Sequence, residues 1–153
     1  MQPKPQKRHI ALQPLSREHH HGLLLSWKIR SGFNKKIDPK RIRDYANWFF
    51  EHHLIPHFEL EETHIFSILN SENELVKRAL ADHRRLKRLF TEREDDTKTL
   101  SKIEEELDKH IRFEERVLFP EIQKTATETQ MLQIEKIHQP EKFIDNETDL
   151  FWK

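Results

Sequence analysis

Three observations predict an all-α fold: an up-down-up-down four-helix bundle followed by a short C-terminal fifth helix and a tail. Glycine occurs only twice in 153 residues, and the abundance of Leu, Glu, Lys and Arg favours helices over strands and tight turns. Apolar residues recur three and four apart along four long stretches, which is the period of a helix with one buried face. The links between those stretches are short, so successive helices should be antiparallel neighbours. The length suits one domain. The expected boundaries are an extended arm over 1–11, the bundle over 12–125, and the short helix and tail over 126–153.

Each element has its own signal. Ser16 is the expected N-cap of a first helix that runs to about Ser31, with Gly32 as its stop. Leu23, Leu24 and Trp27 set its inward direction. Asp38 caps the second helix and Pro39 takes its first position. Its stripe is Ile42, Tyr45, Phe49, His53, His57, Leu60, Glu61, His64 and Ile68. Pro56 should kink it, because the ring meets the carbonyl of His52. Ser71 and Glu74 form the expected capping box of the third helix. Val76, Ala79, Leu80, His83, Leu86, Leu89 and Phe90 form its stripe. The fourth helix turns Leu100, Ile103, Leu107, His110, Ile111, Glu114, Val117 and Leu118 inward, and Pro120 disturbs its end. Thr127 caps a fifth helix over Glu128–His138, stopped by Pro140. The tail carries Phe143, Ile144, Leu150, Phe151 and Trp152 without a period, as a cover for the bundle or as a partner site.

Composition removes several functions. Lys plus Arg and Asp plus Glu are both 27, so net charge gives no reason to expect nucleic acid or an anionic membrane as partner. No apolar run approaches the roughly 18 residues of a membrane span, and no signal peptide precedes the first helix, so a cytoplasmic protein is expected. Cysteine is absent, which excludes disulfides, thiolate metal sites and cysteine nucleophiles. The unusual count is histidine, at 11.

Those histidines fall on the stripes. "HFELEETHIF" (57–66) and "HIRFEERVLF" (110–119) repeat one phrase: His, apolar, any, apolar, Glu, Glu, any, any, apolar, Phe. His57 and Glu61 share a helix face, as do His110 and Glu114. His83 sits in the third stripe. On the first helix, His20 points nearest the inward direction and His19 lies most of a quadrant away. Four imidazoles and two carboxylates would thus meet in an apolar core. A buried carboxylate without a partner costs several kcal/mol. Divalent metal resolves this, since imidazole donates nitrogen and a carboxylate can bridge two ions. The set is too large for one tetrahedral zinc and suits two ions roughly 3.5–4 Å apart.

At these residues the chain resembles the hemerythrin-like, HHE cation-binding domains. "HFELEETHIF" and "HIRFEERVLFP" resemble their two metal-binding helices, and "LSREHHHGLLL" and "LADHRRLKRLF" their partner helices, over roughly residues 12–122. The resemblance implies a four-helix bundle around two iron ions, oxo- or hydroxo-bridged, with zinc or manganese as possible substitutes. The implied ligands are His20 or His19, His57, Glu61, His83, His110 and Glu114. Glu18-His19 mirrors Asp82-His83, whereas the apolar residues at +3 and +7 favour His20. The implied small ligand is O2 or NO; a protein partner is not indicated. Two departures narrow this. Invertebrate oxygen carriers place a second histidine four after the first on the third helix, where this chain has Lys87, and an aspartate on the fourth, where it has Glu114. Members tied to iron–sulfur repair often carry paired cysteines in an N-terminal domain, and this chain has none.

Three functions compete: a module that binds or senses O2, NO or iron; an oxidase, peroxidase-like or repair enzyme; and a structural metal site. No acid, base or substrate residue outside the ligand set argues for the enzyme. Of the other polar residues, His53 is expected to orient a ligand, and His64 to pack or hydrogen-bond. Position 64 corresponds to Val117 in the second copy, so the two halves differ there. Glu62 and Glu115 should point away to the surface or support a ligand. His52 and His21 should face solvent, while His9 and His138 have no constellation. Phe66, Phe119, Trp27 and Phe90 are expected to plug the core.

Overall fold

The computed structural model describes residues 7–138 and 141–153. The expected stop at Pro140 lies outside them. The described residues are all-helical and contain no strand. A 3-10 turn over Ile10–Leu12 leads into α1 (Gln13–Asn34). The second run comprises α2 (Pro39–Phe49), a π turn over Phe50–Leu54, α3 (Ile55–Leu60), a second π turn over Glu61–Ile65 and a 3-10 turn over Phe66–Ile68. Then come α4 (Glu74–Thr91), α5 (Asp96–Phe113), a π turn over Glu114–Leu118, α6 (Phe119–Thr125) and α7 (Glu128–Ile137). No described helix is long and apolar enough to cross a membrane.

Two caps follow the sequence and two do not. Asp38 accepts from the Lys40 amide, and Thr127 forms a capping box with Gln130. Helix α1, however, starts at Gln13, three residues before Ser16. The cap of α4 is Asn73, not Ser71; its side chain accepts from Leu75 and Val76 amides. Gly32 lies inside α1 rather than ending it. A β-carbon there would stand 2.6 Å from Ile42 Cδ1, so the position is reserved for close packing.

Helix α1 packs on α5 and α2, and α4 packs on α5. The inward face of α1 departs most from expectation. Leu15, His19, Gly22, Ser26 and Ile29 are buried, while Trp27 is 47% exposed. The seam against α5 is built from small residues. A β-carbon at Gly22 would meet Ile111 Cδ1 at 2.6 Å, and Ser26 Oγ donates to the Glu104 carbonyl. Hydropathy therefore misplaced the phase by pointing at the Leu23-Leu24 pair.

The π turns explain the second correction. Each closes a wider ring, with the amides of Ile55, Phe66 and Phe119 donating five residues back to Phe50, Glu61 and Glu114. Pro56, expected to kink its run, and Pro120, expected to disturb the end of the fourth helix, each follow a π turn by two residues, and such widening makes room for a proline ring. The inserted residue advances the stripe by one position. Phe50, Leu54, Phe58, Ile65 and Leu69 are buried, whereas Val117 is 44% exposed.

Two apolar cores result. One gathers Leu25, Ile29, Phe49, Phe58, Leu86, Leu107 and Ile111. The other gathers Leu15, Ile65, Phe66, Val76, Ala79, Leu118 and Phe119. In all four runs the buried His and Glu residues fall between the two cores. Runs α1 and α4 pass from the second core to the first; α2–α3 and α5–α6 pass the other way. The tail covers the first core: Phe151 and Trp152 are buried. Lys28 Nζ donates to Tyr45 Oη and Asp145 Oδ2, both at 2.7 Å.

Candidate metal centre

Six side chains from four runs converge between the cores. His19 Nε2 lies 3.3 Å from Glu114 Oε1 and 3.8 Å from Glu61 Oε2. His57 and His83 Nε2 lie 3.2 and 3.3 Å from Glu61 Oε1. His110 Nε2 lies 2.8 Å from Glu114 Oε1. Glu61 and Glu114 are fully buried, and the four histidines nearly so. Two donor groups emerge: His19, His57, Glu61 and Glu114; and Glu61, His83, His110 and Glu114. Within each, the donor atoms lie within 4.8 Å of one another, and both carboxylates belong to both groups.

The donor chemistry fits divalent cations. All four Nε2 atoms and all four oxygens of Glu61 and Glu114 are buried without a hydrogen-bond partner. Buried polar atoms are otherwise almost always paired, so eight convergent orphans call for a cationic occupant.

The outer nitrogens complete the arrangement. His57 Nδ1–H donates to Glu18 Oε1 at 2.6 Å, His83 Nδ1–H to Glu62 Oε2 at 2.7 Å, and His110 Nδ1–H to Asp82 Oδ2 at 2.9 Å. His19 Nδ1 faces Glu115 Oε2 at a longer 3.5 Å. Each carboxylate adjoins an inward residue in sequence yet faces the histidine of the next run. Helix α1 supports His57, the Glu61–Ile65 turn supports His83 and α4 supports His110, whereas Glu115 of the Glu114–Leu118 turn only approaches His19, whose Nδ1 makes no hydrogen bond. A carboxylate on Nδ1 fixes the tautomer with the Nε2 lone pair facing inward.

Residues 11–122 match the family model described as hemerythrin HHE cation binding domain. The chain belongs to that family. No curated protein matches it, and no solved structure does.

Within this hemerythrin domain the first-helix choice falls to His19. His20 is exposed and lies outside both donor groups; the small-residue seam rotates α1 so that His19, not His20, looks inward. His53 and His64 are also outside both groups. His53 packs beside Trp48, Phe49 and Phe143 and makes no hydrogen bond to an inward histidine. His21, expected in solvent, stacks on Phe143 at 4.0 Å. Phe66 and Phe119, the last letters of the two phrases, pack on His83 and His19 at 5.5 and 5.2 Å. The supporting roles of Glu18 and Asp82 were missed, though their signal was visible: each precedes an inward histidine by one residue. Asp82→Ala should weaken cation binding about 10–100-fold while leaving the donor set intact. Competition against a chromophoric chelator checks this, and an unchanged affinity would remove Asp82 from the account.

Without a cation, the carboxylates favour the protonated imidazoles. Burial opposes protonation of His110, but the Glu114 charge and the contacts with Asp82 and Glu114 raise it to about 10. Burial also opposes His57, yet Glu61 and Glu18 raise it well above its usual value. His19 and His83 are raised likewise against their burial, by Glu114 and Glu115 and by Glu61 and Glu62. Burial would raise Glu18, but contacts with His138 and His57 bring it down to about 2. His110, raised to about 10, holds a proton at neutral pH that a cation must displace from Nε2. Cation loading at neutral pH should therefore release protons, and affinity should fall as pH falls. Calorimetric titrations in two buffers of different ionisation enthalpy measure that release; identical heats would contradict it. For the cation-free chain the sign is opposite. Stability from His110 is complete below about 6.5 and is lost as pH rises through about 10.

Proposed function

We propose that this chain is a non-haem di-iron protein whose centre binds or senses O2, NO or iron, and that it is not primarily an enzyme. The observation that carries the reading is the pair of four-donor groups sharing Glu61 and Glu114. His19 and His57 would serve one ion, His83 and His110 the other, with the two carboxylates common to both. The four runs would form an up-down-up-down bundle, supported by the alternating order in which they pass the two cores.

Iron is favoured by the mixed imidazole and carboxylate set, although affinity alone does not separate it from zinc or manganese. When bound, the pair would supply redox-active ions with coordination positions left for a small ligand. The chain's residues do the rest. The carboxylates on Nδ1 orient the rings, Phe66 and Phe119 shield the histidines they contact, and the two cores keep water from both ends of the site. Iron loading in air, followed by absorbance and NO titration, tests this. Near-ultraviolet bands of a bridged ferric pair, with stoichiometric NO uptake after reduction, are expected. Stoichiometric zinc in the isolated chain, with no iron taken up on reconstitution, would contradict the reading.

A further inference from the structure

The three inward histidines whose Nδ1–H donates to a carboxylate are not supported alike. Behind each carboxylate stands a basic side chain. Lys87 Nζ lies 3.8 Å from Glu62 Oε2, and Arg85 donates to Asp82 Oδ1 at 2.8 Å. Both come from α4, inside the 11–122 family match. Glu18 is different. Its Oε1 accepts from His57, and its Oε2 lies 2.8 Å from His138 Nε2. His138 stands beyond the family match, at the C-terminal end of α7, and had no constellation in the sequence. At that distance two lone pairs would repel, so the approach requires a proton on Nε2, although it is off the line of a hydrogen bond.

The contact matters because of the freedom it removes. A glutamate that holds an imidazole through one oxygen still turns about its side-chain bonds, and fixing it costs rotamer entropy. His138 meets the other oxygen, so Glu18 is restrained at both. His138 is restrained in turn. Its amide donates to the Ile134 carbonyl at 2.9 Å, and Met131 and Ile134 seat α7 in the second core. The partner on the outer nitrogen of a metal-binding imidazole sets the ring's direction and donor strength. We propose that His138 is a positioning residue for the metal centre: through Glu18 it holds the His57 ring, and it thereby strengthens binding at the one cation position that His57 serves. Only the cation half of this statement rests on the two-ion reading; the hold on His57 does not.

His138→Ala in the full chain tests this, on material shown folded by circular dichroism. Helix α7 should stay docked, because Met131 and Ile134 anchor it. The first readout needs no metal. In the cation-free chain the ring proton and nitrogen resonances of His57 should shift, while those of His110, supported by Asp82, stay in place. The second readout is ferrous iron, titrated anaerobically against a chromophoric chelator. One ion should bind about tenfold more weakly, the low end of what such an outer partner is worth, and the other should keep its affinity. The third is a cycle with Glu18→Ala. In that background His138→Ala should change the affinity by less than about twofold, because the residue that transmits the contact is gone.

Unmoved His57 resonances, unchanged or equally weakened binding of both ions, or a full His138 effect without Glu18 would overturn the proposal. A chain that takes up no iron defeats the two-ion reading alone, and the His57 resonances still decide whether His138 holds that ring.

Discussion

Glu114→Ala should strip both cations from the chain, whereas His57→Ala should strip one. The difference follows from membership: Glu114 belongs to both donor groups and His57 to one. Without Glu114, each group keeps three donors, and His19 and His110 lose the oxygen they face at 3.3 and 2.8 Å. Removing one partner of a buried charged cluster also costs roughly 3–5 kcal/mol, so metal must be counted on material shown folded by circular dichroism. Glu114→Gln keeps the shape and one acceptor, and should retain partial loading. A Glu114→Ala protein that still holds one cation at the original affinity would show that the groups do not share this residue.

Stripping the cations should lower the melting temperature by roughly 8–16 °C. Ligand at a thousandfold above Kd stabilises by about 4 kcal/mol, and about 2–4 °C per kcal/mol is usual at this chain length. The structural reason is local. Two carboxylates and four imidazoles are buried between two apolar cores, where their inner atoms make no hydrogen bond. The gap should shrink toward pH 5, because protons compete for the same nitrogens. Thermal scans with and without chelator, at pH 5 and pH 7.5, measure both effects. Equal melting temperatures at pH 7.5 would mean that the cluster is satisfied without metal.

How far the site could be read in the sequence depended on how regular the local backbone is. His83, His110 and Glu114 lie on segments of ordinary α geometry up to Glu114, so counting by 3.6 placed them correctly on a buried face. Within a π turn the count slips by one, which is why His64 was read as inward in place of the buried Ile65, and Val117 was read as inward beside Leu118, which alone of the two is buried. His19 was obscured for another reason. Hydropathy weights large apolar residues, but α1 meets α5 through Gly22 and Ser26. Of the carboxylates beside the outer nitrogens, Glu62 and Glu115 were open between surface and ligand support, and Glu18 and Asp82 were given no role, because each reaches across to a neighbouring run, a relation between helices that one helix's periodicity does not carry. The tail had no period to follow, and its docking depends on Lys28, Tyr45 and Asp145 meeting from distant positions.

Anaerobic titration of the metal-free chain with ferrous iron tests the two-cation centre most directly. The two donor groups predict that bound iron rises to about two ions per chain and then stops. A plateau at one ion, or none, would contradict a centre bridged by Glu61 and Glu114.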